Sequence, residues 1–134
     1  MTIDSTHNAF RGSAFTYVNL KRLICYVCGG SYPPHDKGNA FLWEWQEAVP
    51  DPDLWYIGRT FTKDQFPGLW RFLDHVAEPG GESLTPFECC QIANDMAFVI
   101  PRLKDISEEY ADIAAKFAEG CGLAAILGEQ MEFH

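Results

Sequence analysis

The stretch "TPFECCQIANDMAFVIP", Thr85 to Pro101, decides how this chain is read. Thr85 suits a helix N-cap, Pro86 takes the first helical position where a missing N–H costs nothing, and Glu88 completes a T-x-x-E capping box. Such a cap is worth about 1 kcal/mol. Behind it, Cys89, Ala93, Met96 and Ile100 recur at spacings of four, three and four, the repeat of a single helix face. The spacing predicts an amphipathic helix with these four residues turned to the core. Pro101 limits it, because the residue before a proline avoids the helical region.

Working outward, "KDQFPGLWRFLDHV" places Pro67 near a second helix start, with Leu69, Trp70, Leu73 and Val76 on one side. Between the two lies the polar loop from Asp74 to Ser83. His75 with Glu78 and Glu82 offers the groups of an acid–base pair or a hard-metal site, but the alternating oxygen ligands of a calcium loop are missing, and Pro79-Gly80-Gly81 spells a turn. A solvated turn feeding a capped helix accounts for the stretch better.

Downstream, Ser107 opens a last helix with Glu108 and Glu109 in its first turn, where the macrodipole favours acid. Ile106, Tyr110, Ile113, Phe117, Cys121, Ala124 and Leu127 form its apolar stripe. Gly120 and Gly122 each cost about 1 kcal/mol relative to alanine, which predicts a kink or close packing against another helix. Gly128 makes a C-terminal cap, and "EQMEFH" is a short tail. Upstream, "FTYVNLKRLICYVCGG" predicts a helix over 14–28 stopped by Gly29-Gly30. "SYPPHDKG" is a loop, "NAFLWEWQEAV" favours a short helix over a strand, and "LWYIGRTF" is a strand or extended aromatic segment.

The expectation is a mainly α, single-domain bundle of four or five helices, with a short β-hairpin or extended segment near 54–61. Residues 1–12 carry no pattern and are expected to be flexible, ahead of a globular domain over 13–134. A length of 134 residues suits one domain with a real core, and a 47% hydrophobic, 14% aromatic composition excludes disorder.

The formal charge of -9 is uneven. Residues 1–40 carry four basic and two acidic side chains, and residues 41–134 carry six and seventeen, giving +2 and -11. Such a surface repels phosphates, so direct nucleic-acid binding is disfavoured and a protein partner with a basic surface is favoured, although solubility accounts for the same charge. No apolar run is long enough to span a bilayer and no secretory leader pattern is present, which argues against a membrane location. Five cysteines, Cys25, Cys28, Cys89, Cys90 and Cys121, suit a reducing compartment, so the expected location is cytoplasmic.

Cys25 and Cys28 have the C-x-x-C spacing of a zinc or redox pair. A structural zinc needs two further ligands, for which His35, His75, Cys89 or Cys90 would have to be brought in by the fold. The competing reading makes both cysteines small hydrophobes of a helix. "GCGLAAILG" lacks the strand and spacing of a dinucleotide fingerprint, and no nucleophile elbow, P-loop or H-E-x-x-H motif occurs. In the aromatic, acidic middle, Trp43, Glu44, Trp45, Glu47, Asp51, Asp53, Trp55 and Tyr56 combine rings that suit binding hot spots with carboxylates that steer a basic partner, and core packing would explain the rings equally well.

The run from Trp70 to Leu103 resembles a group of small bacterial and phage proteins with the pattern L-x-H-S-D-C-D-G-E, then P-x-E-C-x-x-I-A, a hydrophobic helix ending L-P-x-L, and an E-F tail. Leu73, His75, Glu82, Pro86, Glu88, Cys89, Ile92, Ala93, Pro101, Leu103 and Glu132-Phe133 fall on that pattern. After the histidine, Val76-Ala77-Glu78-Pro79-Gly80-Gly81 replaces the Ser-Asp-Cys-Asp-Gly of the group. The resemblance implies a bacterial or phage setting, compatible with immunity or anti-defence roles.

The functional expectation is a non-enzymatic, acidic protein-binding factor: an immunity or antitoxin-like protein or a phage-encoded inhibitor that occludes a basic surface. Trp43, Glu44, Glu47, Asp51, Asp53, Trp55 and Tyr56 would form its interface, and no cofactor is required. The alternative is a small metal-binding protein or metalloenzyme holding zinc through Cys25, Cys28 and His75. A structural subunit of a larger assembly is the third.

Overall fold

The computed structural model describes residues 2–27 and 64–134. Cys28, the tryptophan-rich segment from Trp43 to Tyr56, the short helix expected near it and the extended segment 54–61 lie outside them. Among the described residues the protein is mainly helical, with four α-helices and a small antiparallel hairpin.

Strand β1 (Thr2–Asp4) pairs with β2 (Arg11–Ser13) in the register Thr2↔Ser13, Ile3↔Gly12, Asp4↔Arg11. A 3-10 turn over Thr6–Asn8 connects them, with His7 and Asn8 at φ 60° and 54°. Asparagine and histidine are among the side chains that tolerate this left-handed region best. The N-terminal residues, patternless in sequence, are thus built into the fold, and Ile3, Ala9 and Phe10 are buried.

Strand β2 runs directly into α1 (Ala14–Val27), followed after the undescribed segment by α2 (Pro67–Asp74), α3 (Pro86–Lys104) and α4 (Glu108–Leu127). Helices α3 and α4, joined by a short loop, pack along each other, and α2 lies against α3. The approach of α2 is close: a Cβ on Gly68 would fall 2.2 Å from the carbonyl of Gln91. Tyr17, Phe72 and Phe117 meet in the centre, with ring centroids 5.2–5.8 Å apart.

The helix starts follow the sequence closely. Thr85 and Glu88 form both halves of the capping box, Ser107 caps α4 and Gly128 closes it at φ 67°. The core faces differ. Helix α3 buries Cys89, Ile92, Met96, Val99 and Leu103, leaving Ala93 and Ile100 at the edge. It also continues through Pro101, contrary to the expected stop. That proline sits on the exposed side of the last turn, so its missing N–H forfeits one hydrogen bond, and burial of Leu103 beyond it offsets the loss. Helix α4 turns inward a stripe of mainly small residues, Ala111, Ala114, Phe117, Gly120, Cys121 and Ala124, and leaves Leu127 exposed, while Ile106 lies exposed in the turn before it.

Gly120 does serve close packing, but against Ala9 of the N-terminal turn and not another helix: a Cβ there would lie 2.3 Å from the Ala9 side chain. The C-terminal residues are not a free tail. Asp4 and His134 exchange backbone hydrogen bonds of 3.0 and 2.7 Å, Leu84 and Met131 exchange two of 2.9 Å, and Met131 and Phe133 are buried.

Candidate functional site

Two places combine chemistry with geometry. The first is at the end of α2, where His75 is completely buried instead of lying in a solvated turn. Its Nε2 lies 2.7 Å from the carbonyl oxygen of Glu82, which only accepts, so Nε2 carries the proton. Nδ1 then accepts from the Tyr17 hydroxyl at 2.9 Å. Burial lowers its pKa from 6.5 to about 4, with the nearby Lys21 and Arg71 charges adding to the shift against the Glu82 carbonyl hydrogen bond. His75 is therefore a neutral clamp joining α1, α2 and the loop at residue 82.

Lys21 donates to the main-chain carbonyl of His75 and sits 5.4 Å from the Tyr17 ring centroid. This places an ammonium at the C-terminus of α2, where the macrodipole favours a cation. Burial lowers its pKa from 10.5 to about 7, and Asp74 acts the other way. Burial likewise holds the Tyr17 phenol well above its ordinary value.

On the outer side of the same loop, Arg71 gathers Glu88 at 2.5 Å, Glu82, and Asp74 at 3.4 Å. Burial opposes its charge, but the hydrogen bonds to Glu88 and Glu82 outweigh that and raise its pKa. Burial would raise Glu88, yet the Thr85 N–H and Arg71 hold it below the usual carboxylate range. The loop read as helix punctuation is thus tied to three helices by hydrogen bonds and charge.

The cysteines divide by depth. Cys25, Cys89 and Cys121 are buried and Cys90 is exposed. The Cys89 thiol donates to the Leu84 carbonyl at 4.0 Å, and its closeness to Cys121, together with burial, pushes the Cys121 thiol far up, the opposite of an activated nucleophile. Of the zinc set expected from sequence, Cys28 lies outside the described residues, and both ring nitrogens of His75 already have protein partners. Among the described residues no three histidine, cysteine or carboxylate groups cluster as a metal site.

The second place is a groove of about 670 Å³ between the Thr6–Asn8 turn and the second half of α4, with Leu123 and Ile126 on its apolar side and Lys116 and Glu119 on its polar side. His7 Nε2, at its wall, lies 2.8 Å from Glu129. Ile126 is 84% and Leu123 45% exposed. The sequence held a signal for this face: Glu109, Asp112, Lys116, Glu119, Leu123 and Ile126 recur at alternating spacings of three and four, and all are exposed. The apolar stripe read from the sequence meets the core at Phe117, Cys121 and Ala124, and this opposite face forms no part of it.

Fold and sites together define a small helical protein with a closed polar interior and a partly apolar outer groove. No family model, curated protein or solved structure matches the chain. Among the described residues no helix is long and apolar enough to cross a membrane.

Proposed function

We propose that this protein is a non-enzymatic binding factor that occludes a basic surface of a partner protein, in the manner of an immunity protein, an antitoxin or a phage-encoded inhibitor. One observation carries it: between residues 64 and 134, eleven acidic side chains are exposed against three basic ones, Arg102, Lys104 and Lys116. A surface so biased accelerates encounter with a basic partner and discourages acidic ones. The titratable groups at His75 add support, since their hydrogen-bonding capacity is directed at the protein itself. A cytoplasmic setting is part of the same proposal and rests on the cysteine usage.

The test is capture from the native host on the immobilised full chain, at low and high salt, followed by affinity measurement with the captured partner. A partner of basic surface, released by high salt, is the expected result; partners indifferent to salt would remove the electrostatic basis. With that partner, Trp55→Ala and Asp51→Lys should weaken binding while leaving the fold intact. Unchanged affinity in both would take the tryptophan-rich segment out of the interface.

A further inference from the structure

Helix α4 carries a glycine that packing among the described residues does not use. Gly120 is required, since any side chain there would collide with Ala9. Gly122 is not: among the described residues a Cβ on it would meet nothing within 4 Å. An interior helical glycine with no packing role among the described residues still weakens its helix relative to alanine. What its missing side chain provides is depth, because Gly122 lines the groove beside Leu123 and Ile126.

The opposite wall is equally constrained. His7 and Asn8 hold left-handed backbone conformations, and bonds to the C-terminal residues fix them there. Here Thr6 Oγ1 accepts from the Glu132 N–H at 3.0 Å and His7 is joined to Glu129. The groove thus has a fixed wall, a floor of bare backbone and an apolar flank.

Its surroundings select the occupant. Glu119, Glu129 and Glu132 are exposed around it against Lys116, and Asp112 and Glu109 continue the acidic stripe along α4. A second copy of a chain with net charge -9 would bring like charge to like, and an anionic lipid surface would be repelled in the same way. A segment with apolar residues on one face and lysine or arginine beside them satisfies both the flank and the rim.

We propose that the groove between the Thr6–Asn8 turn and the second half of α4 is the docking site for a basic, amphipathic segment of the partner protein, seating an apolar side chain over Gly122 between the turn and Leu123–Ile126. This rests on the binding-factor reading above and adds to it a contact on α4. Rim acids hold the segment by charge, and the groove discriminates it from merely basic chains.

The test uses the full chain and two synthetic helical peptides of equal charge, one of leucine and lysine, the other with serine replacing leucine. The leucine peptide should bind the tighter by roughly tenfold or more, the worth of one buried leucine side chain, and shift the amides of Gly120, Gly122 and Leu123. Gly122→Leu, which fills the groove with the chain's own side chain, should abolish that preference without lowering the melting temperature. Ile126→Ser, at an exposed position, should weaken it as well. Equal affinity for the two peptides, an unaltered preference in both variants, or self-association lost in Ile126→Ser would each overturn the proposal. Shifts confined to residues 43–56 would overturn the groove while leaving the binding-factor reading in place, whereas failure to retain any basic partner from the host would end that reading.

Discussion

Around His75 the protein closes over its polar groups; over Gly122 it leaves apolar ones open. At His75 both ring nitrogens, the Tyr17 hydroxyl and the Lys21 ammonium are paired inside the molecule. Along the second half of α4, Leu123 and Ile126 face water beside a glycine that contributes nothing to packing among the described residues. Perturbed titration by itself marks functional sites and structural clamps alike. The difference here is access: the first region has its shifts because it is sealed, and the second presents an open shape.

The largest expected effect tests the sealed region. His75→Ala removes a buried ring and leaves the Tyr17 hydroxyl and the Glu82 carbonyl without their partner, so it should destabilise by about 4 kcal/mol in urea unfolding. A loss below about 1 kcal/mol, the scale of a surface change, would return His75 to the solvated turn that the sequence suggested.

Acidification probes the same clamp without mutation. The folded pKa of His75, about 4, lies below its ordinary 6.5. Between those values the unfolded chain binds more protons than the folded one, so stability falls as pH drops through this window, by roughly 3 kcal/mol in all. Glu88, held below its ordinary 4.5, extends the loss at lower pH. Lys21 acts with the same sign on the alkaline side, since its pKa of about 7 lies below 10.5: its charging penalty is relieved as pH rises between the two. Stability that did not change between pH 6.5 and 4 would show the imidazole to be solvated.

The smallest effect has the opposite sign and belongs to the open region. Gly122→Ala should raise stability by up to about 1 kcal/mol, because alanine restores helix propensity where there is room for it. A destabilised Gly122→Ala would mean the glycine serves the fold, and the contrast between the regions would shrink.

Much of the helical framework was legible because its signals are local. The Thr85–Glu88 box, the Ser107 cap, the left-handed Gly128 and the start of α2 at Pro67 each depend on residues within one turn of each other. Pro101 was misread for the same reason: a local preference for stopping was overridden by burial of Leu103. The face of α3 was offset because Ile92 and Val99 were passed over, and nothing in spacing alone says which neighbours a helix will meet. At the sites, the loop containing His75 was recognised as a candidate for chemistry, but its role as a clamp depends on Tyr17, 58 positions away. The groove joins His7 to Ile126, and no local pattern connects them.

The class of fold, the ends of most helices and the acidic bias of the C-terminal region follow from the order of residues alone, since propensity, capping and charge are properties of neighbouring residues. Only the tertiary structure decided that the N-terminal residues form a hairpin, that the last six residues are held between Asp4 and Leu84, and that His75 is buried. These arrangements depend on hydrogen bonds and close packing between distant parts of the chain, and their geometry exists only once the helices have come together.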